Sequence, residues 1–537
     1  MAESKMTVAK LLIEQLNIWG VKRIYGVVGD AIIGLMDELA KQSEIKFIAV
    51  KHESIAAMMA SAEAKLTGNL GVCLATMGPG LGNLLNGLGD AHLDKAPVLA
   101  ITGQAPTQKI GTDYKQYINQ QELIKPFASY SSLLAHPDAI TKLLVKAMHY
   151  SLEKGAVTHL SIPKDLFNSL SNAIIQEKPL IITGEFNFSM SEMSVVSTIM
   201  EDAKQPIILA GMGARHAASE VTELAGKWGA GILVSFGAKG YFSAENTFLL
   251  GGIGQGGNPL AKDLFKNTDV VLIVGATWWP ENYVPTSAKI IQIDNVVENI
   301  GKGIPVNIGV VGDAKKLVSL LSQNLKKPQN PHWVKQCQTV KDKWNKINDQ
   351  ERSTSGSPIH PARIVKAIND SVANDAIISV DTGDVTVWVN RSFVPTQQTF
   401  LFSGTWRTMG FGLPAAMAAK LVHPGKQVVA VVGDGGLEMS LADLLTAVRY
   451  ELDITIVVFN NHSLQMEKDK MLVGGYEPKG VSLTNPNFMQ IANGCGLKGF
   501  EIKNEKELDN ILKEALVFNG PVLVSVETAP IVHPETQ

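Results

Sequence analysis

The segment VVAVVGDGGLEMSLADLLTAVRYELDITIVVFNNHS, residues 428–463, constrains this chain more than any other. It reads as buried strand, Gly-rich turn, helix, buried strand and polar turn, with 24 residues between Gly435 and Asn460. In a parallel α/β unit the turns after both strands open on one edge of the sheet, where ligands bind. Asp434 and Asn461 therefore arrive side by side, one offering a charged oxygen and the other a neutral one. A hard cation such as Mg²⁺ takes oxygen ligands of this sort, few from protein and the rest from phosphates or water. The glycines let backbone N–H groups approach a diphosphate closely. The bare alternative is an ordinary GDG turn after a Val-rich strand, common in α/β proteins.

A chain of 537 residues is too long for one core and suits about three domains. Its net charge of −3 carries no basic excess, which argues against nucleic-acid binding. The three cysteines, Cys73, Cys337 and Cys495, match no metal spacing and cannot form a disulfide framework, so a reducing cytoplasm is the expected compartment. The first residues read as an amphipathic helix leading into a strand, not as a signal peptide with a continuous apolar centre. No apolar run approaches the ~20 residues of a membrane span.

Strand and helix patterns alternate in three blocks, which predicts an α/β fold of three domains, each a mainly parallel sheet flanked by helices. The blocks cover residues 1–180, 190–325 and 358–537. In the first, RIYGVVG, KFIAV, GVCLAT, APVLAITG and THLSIP read as buried strands. In the second the strands are PIILAG, GILVSFG, TFLLGG, DVVLIVG and KIIQID. In the third they are AIISVD, TFLFSG, QVVAVVG, ITIVVFNN and PVLVSVE. QEKPLIITGEFNFSMSE reads as a linker, and a charged helical stretch from Pro331 joins the second block to the third. The hexamers from Thr76 and from Thr408, TMGPGL and TMGFGL, differ at one position and hint that the outer blocks share a fold.

Two further residues have chemistry in reach. Glu53 follows a strand and opens an apolar helix, a desolvated setting in which a carboxyl can share a proton with a ring nitrogen. The plain alternative is a first-turn glutamate gaining from the helix dipole. Met409 stands 25 residues before Asp434 (434 − 409), a flexible apolar side chain able to act as a wedge or simply to fill the core.

Together these features resemble the thiamin-diphosphate enzymes, in particular the pyruvate oxidase and pyruvate:quinone dehydrogenase branch. The likeness covers nearly the whole chain and includes KLTGNLGVCLATMGPGLGNLLNGLGDAHLDKAPVLAITGQ. The resemblance implies a pyrimidine-binding first domain, a central domain and a diphosphate-binding third domain. Active sites would lie between the first domain of one subunit and the third of another, in a homo-oligomer that is a dimer or tetramer. It implies Glu53 as the acid that activates the cofactor and Met409 as the wedge that bends it. Gly29 would meet the pyrimidine, and Asp384, Thr386, Gly435 and Gly436 would lie near the diphosphate. Asp434, Asn461 and the carbonyl of Ser463 would hold Mg²⁺. LAGMGARHAASEV is strand, Gly-x-Gly turn and helix, and with FGAKGYF it resembles the FAD-binding domain of pyruvate oxidases. That likeness points to Gly211, Gly213, Arg215, Lys239, Asp294 and Asp313.

The pattern departs from the branch near the presumed substrate. Gln116 stands where the branch has a catalytic glutamine, but Lys115 replaces the aromatic before it. Glu467 occupies an apolar position, six residues after Asn461, where non-oxidative decarboxylases carry a catalytic glutamate; their paired histidines are missing. Lys470 stands where the oxidases have an acid. The resemblance also includes a C-terminal tail that this sequence lacks, which argues against membrane recruitment and quinone reduction. The expected activity is thiamin-diphosphate- and Mg²⁺-dependent decarboxylation of a small 2-oxo acid, pyruvate first, followed by flavin-linked oxidation. A non-redox decarboxylase or an acetolactate synthase-like carboligase is the runner-up, and a catalytically silent nucleotide-binding regulator is the reading from another class.

Overall fold

A computed structural model describes residues 5–179, 190–277, 285, 287–326 and 330–532. Three sheets of six strands each dominate it, and every strand pairing within them is parallel. Their central strands are continuous apolar runs such as Val270–Val274 and Val428–Gly433, the composition expected of strands covered by helices on both faces.

The first sheet holds Arg23–Gly26, Lys46–Ala49, Gly71–Ala75, Val98–Gln104, Ala128–Leu133 and Val157–Pro163. The third holds Ile377–Val380, Thr399–Leu401, Val428–Gly433, Thr455–Asn460, Lys498–Ile502 and Val522–Glu527. Numbered along the chain, the strands of both sheets lie in the order 2-1-3-4-6-5. The outer blocks therefore share a topology, as the repeated hexamer hinted, but the hexamer itself is not an equivalent pair. TMGPGL follows the third strand of its sheet, whereas TMGFGL follows the second, before helix Gly412–Val422. The topological counterpart of the GDG turn is thus the loop at Thr76, and that of the Met409 loop is the turn at Glu53.

The central sheet differs. Pro206–Ala210, Gly231–Val234, Leu249–Gly252, Val270–Val274, Lys289–Asp294 and Ile308–Val311 lie in the order 3-2-1-4-5-6. The chain reverses direction across the sheet between its first and fourth strands, which leaves a crevice beyond their carboxyl ends, the usual dinucleotide position in such sheets.

Each sheet contains one strand that the sequence pattern did not predict: Ala128–Leu133, Ile308–Val311 and Lys498–Ile502. All three are edge strands. They are polar or half-exposed, so they lack the apolar run that marks the interior strands.

The outer domains share one core. Helix Glu53–Thr67 packs on Gly412–Val422, and the small side chains of both, Ala56, Ala60, Ala415, Ala416 and Ala418 among them, lie in one buried apolar cluster. The predicted connecting helix, Pro331–Arg352, is docked rather than free: Trp333 is buried and donates through Nε1 to the Pro206 carbonyl at 2.9 Å. Part of the expected linker, residues 180–189, lies outside the described residues. No helix among the described residues is long and apolar enough to cross a membrane.

Candidate functional site

Strands Val428–Gly433 and Thr455–Asn460 pair in register, Gly433 beside Phe459, so the turns that follow leave the same sheet edge. Asp434 is 3% exposed there. Its Oδ1 accepts from its neighbour Gly435 N at 2.9 Å. Its Oδ2 accepts from His462 N at 2.7 Å and from Asn485 Nδ2 at 2.8 Å. Asn461 Oδ1 accepts from Ser463 N at 3.1 Å, closing a turn in which His462 takes a left-handed φ of +55°. Asp434 and Asn461 are thus brought together as expected. Burial pushes the Asp434 carboxyl above its ordinary range, and its hydrogen bonds only partly counter this. Ser463 Oγ and Asn485 Oδ1 are buried without partners beside it. Hard oxygen donors converge around a desolvated carboxylate, a set that fits Mg²⁺.

Asn485 was not singled out in the sequence. It also donates to Asn460 Oδ1 at 2.6 Å, tying the Asp434 carboxylate to the strand end. It comes from the loop SLTNPNF, whose distance from the motif is set by tertiary folding, so no spacing rule could have found it.

Asp381 was also missed, although it ends strand Ile377–Val380 just before the TGD loop. Buried and 1% exposed, its Oδ1 accepts from Thr382 N at 2.7 Å, Gly410 N at 2.9 Å and Phe411 N at 3.3 Å. Burial nevertheless pushes it up to about 6. A Cβ on Gly436 would stand 2.6 Å from Asp381 Oδ2, so only glycine fits that turn. This carboxyl therefore ties the Met409 loop to the end of strand Ile377–Val380 and lies against the GDG turn. Met409 lies against that turn, its Cε 3.4 Å from where a Cβ on Gly435 would be. Asp384 Oδ2 accepts from Trp388 Nε1 at 3.0 Å, while Oδ1 is buried without a partner. Burial first, and Asp469 second, push Asp384 up to about 7. Thr386 Oγ1 donates to the Asp381 carbonyl.

In the first domain Glu53 opens helix Glu53–Thr67 and is 9% exposed. Its Oε2 accepts from Asn83 Nδ2 at 2.9 Å. A Cβ on Gly29 would come within 2.5 Å of Thr76 Cβ, so the turn there demands glycine. Gln116 sits on an exposed loop with a φ of +60°, its carbonyl packed over Gly78. Lys115 is exposed near Asp30, whose carboxyl is held below its usual range mainly by its hydrogen bond to Lys164 at 3.0 Å. Glu467 is exposed and paired with Lys470 at 2.7 Å, so Lys470 and not Lys115 is its partner within the chain. No described hydrogen bond or ion pair joins Glu53 to the Asp434 group.

The crevice of the central sheet opens into a cleft of about 450 Å³ walled by all three domains. Gly211 and Gly275, which follow the first and fourth strands, line it. Gly213 N donates to the Gly275 carbonyl at 2.9 Å, and a Cβ on Gly213 would stand 2.7 Å from Gly275 Cα. Thr382, Gly383, Thr386 and Met466 close the cleft from the third domain, and Asp94 and Lys95 from the first. That last wall is held by Lys65, which is bonded to Asp90 at 2.8 Å and Asp94 at 2.7 Å, while Asp94 accepts from Gly404 N and Thr405 N at 2.8 Å each.

Of the six predicted flavin residues only Gly211 lines the cleft; Gly213 lies behind Gly275, and the other four are spent elsewhere. Arg215 donates to the Lys65 carbonyl at 3.1 Å. Lys239 Nζ donates to the Asn390 carbonyl at 2.9 Å in a separate, smaller cavity. Asp294 Oδ1 accepts from Val296 N at 3.0 Å and Asn299 Nδ2 at 2.8 Å. Asp313 is exposed and caps helix Ala314–Asn324.

Three family models match: the thiamine pyrophosphate enzyme N-terminal TPP-binding domain over residues 6–123, the central domain over 194–321 and the C-terminal TPP-binding domain over 381–526. The thiamine pyrophosphate-containing protein YdaP of Bacillus subtilis is 36% identical over 524 residues, 97% of this chain and 91% of the relative. The pyruvate oxidase of Lactiplantibacillus plantarum is 30% identical over 530 residues, 96% of this chain and 87% of the relative. The acetolactate synthase large subunit of Cyanidium caldarium is 29% identical over 546 residues, 96% of this chain and 92% of the relative.

Proposed function

Because the chain belongs to the thiamine pyrophosphate enzyme family, we propose that it decarboxylates a 2-oxo acid, pyruvate first among the candidates, with thiamin diphosphate and Mg²⁺ bound, and that a flavin then accepts the electrons of an oxidation. The observation that carries this reading is the meeting of Asp434 and Asn461 at one sheet edge, bridged by the His462 N–H at 2.7 Å from Asp434. Bound there, thiamin diphosphate supplies an electron sink for the carbon–carbon bond that breaks as CO₂ leaves.

The chain's own residues do the rest. Asp434, Asn461 and the Ser463 carbonyl hold the cation, and the Gly435 and Gly436 backbone N–H groups are the donors for a diphosphate beside Asp384 and Thr386. Met409 presses on the GDG turn as the wedge. Glu53 holds a proton at the pyrimidine nitrogen, with Asn83 fixing its carboxyl and Gly29 opening the turn opposite. Gln116 faces the substrate. Glu53 of one chain and Asp434 of a second would complete each site, which makes the enzyme a homo-oligomer, dimer or tetramer.

The flavin half of the reading rests on the 3-2-1-4-5-6 sheet and on Gly211 and Gly275 at its crevice, with Gly213 behind Gly275, not on Arg215, Lys239, Asp294 or Asp313. The second reading, a non-redox decarboxylase or carboligase, is favoured by Glu467: a solvent-exposed carboxyl six residues after Asn461 is a candidate general acid.

An absorbance spectrum of the purified protein, followed by CO₂ release from pyruvate with and without an electron acceptor, separates them. Flavin bands and acceptor-dependent release are expected. A colourless protein that releases CO₂ without any acceptor replaces the first reading by the second. Failure to release CO₂ from any 2-oxo acid, with both cofactors supplied, sinks both.

A further inference from the structure

A second cavity, of about 80 Å³, lies between the central and C-terminal domains. Lys239, Lys341 and Arg391 line it, and no aspartate or glutamate does. Lys239 is 7% exposed, with one carbonyl partner, that of Asn390. Arg391 spends Nε and Nη2 on Glu351 at 2.7 Å each, and its guanidinium lies 4.8 Å over the Trp344 ring. Its Nη1 is buried with no partner. Two buried acceptors on the same wall are also unpartnered, Asn390 Oδ1 and Asn348 Oδ1. The Asn390 amide is oriented by its donation to the Gln255 carbonyl at 2.8 Å, so its free atom is the oxygen. Sealed donors and acceptors without partners are rare in folded proteins, because each forfeits its hydration.

We propose that this cavity is a binding site for a small oxyanion that also carries a hydrogen to donate, of the chemical class of monohydrogen phosphate. Lys239 and the Arg391 Nη1 face its charged oxygens, and Asn390 Oδ1 takes its hydrogen. The size agrees: the cavity exceeds the space of a single water and falls far below the ~300 Å³ at which pockets for drug-sized ligands begin. An aprotic anion of the same shape leaves the Asn390 oxygen facing another oxygen, and a site built around a donor rejects an analogue that lacks it. Asn390 also lines the large cleft, so an occupant of the small cavity touches the wall of the larger one.

The test uses the oligomer saturated with thiamin diphosphate and Mg²⁺, so that phosphate cannot enter at the diphosphate seat. Inorganic phosphate and sulfate are titrated at equal ionic strength while the unfolding midpoint is followed, for the natural protein, Lys239→Met and Asn348→Leu. Phosphate is expected to raise the midpoint saturably and sulfate to do so at least about tenfold more weakly. Lys239→Met is expected to weaken phosphate at least about tenfold, and Asn348→Leu to weaken it less. A crystal soaked in phosphate should show the ion against Arg391. No saturable shift, an equal shift with sulfate, or an undiminished shift in both variants overturns the proposal. Should Lys239→Met fail to fold, Asn348→Leu and the soaked crystal decide it.

Discussion

The first and third sheets have the same strand order, yet their loop edges are chemically unlike. In the third, the turns after neighbouring strands are tied to one another by buried carboxyls: Asp434 takes three hydrogen bonds and Asp381 gathers backbone N–H groups from two separate loops. In the first, the only described side-chain partner of the Glu53 carboxyl is Asn83, and the facing loop around Gln116 is exposed. A common scaffold has thus been fitted with one edge knit together by buried carboxyls and one on which, among the described loop carboxyls, Glu53 is buried while Asp30 and Asp165 are exposed. Fold does not dictate chemistry; the loops do.

The sharpest way to break this contrast is to remove the anchor on each side. Asp434→Ala takes away the proposed charged metal ligand and leaves His462 N and Asn485 without their acceptor. Activity should fall by more than about 100-fold, together with Mg²⁺ and diphosphate affinity measured by calorimetry. Glu53→Gln should lower turnover by about 10²–10⁴-fold while diphosphate binding stays near the natural level. If both variants lost binding equally, the division into a seat and an activating edge would be wrong.

How far the sequence foretold this contrast depends on the range of the interactions involved. The five interior or apolar strands of each sheet and the meeting of Asp434 with Asn461 were legible, because short-range apolar runs and one βαβ unit determine them. The edge strands Ala128–Leu133, Ile308–Val311 and Lys498–Ile502 were not, since an edge strand needs only one partner and little burial. Asn485 and Asp381 escaped notice for a related reason: their roles depend on loops that meet only in three dimensions. Lys239 shows the opposite limit. Its motif pointed to the central crevice, but the side chain crosses to the Asn390 carbonyl in another domain. A local pattern does not say on which side of a loop a long side chain will be buried.

Asn485 offers a smaller test of the seat. It touches the metal-side carboxylate without being one of the expected ligands, so Asn485→Ala should weaken Mg²⁺ by roughly 10–100-fold, as losses of supporting hydrogen bonds do. Asn83→Ala, its counterpart beside Glu53, should leave Mg²⁺ affinity unchanged and act on turnover. Equal effects of the two on metal binding would erase the distinction between the edges.

The last expected effect is on stability rather than on binding or turnover, and it follows from burying Asp381 without a cation. Burial holds its folded value at about 6 against an ordinary value of 3.8, so the folded state binds the proton more tightly than the unfolded state does. The stabilisation from this proton is full below pH ~4 and is lost as pH rises through ~6. The tighter proton binding is worth at most about 3 kcal/mol. In the absence of Mg²⁺ and diphosphate, unfolding midpoints of the natural protein and Asp381→Asn should therefore diverge between pH 4 and 6, the natural protein losing ground as pH rises. Asparagine keeps one acceptor for the Gly410 and Phe411 N–H groups but cannot ionise, so the variant isolates charge from hydrogen bonding. Parallel midpoints across that range would mean that the Met409 loop is held to the end of strand Ile377–Val380 by something other than the charge of this carboxyl.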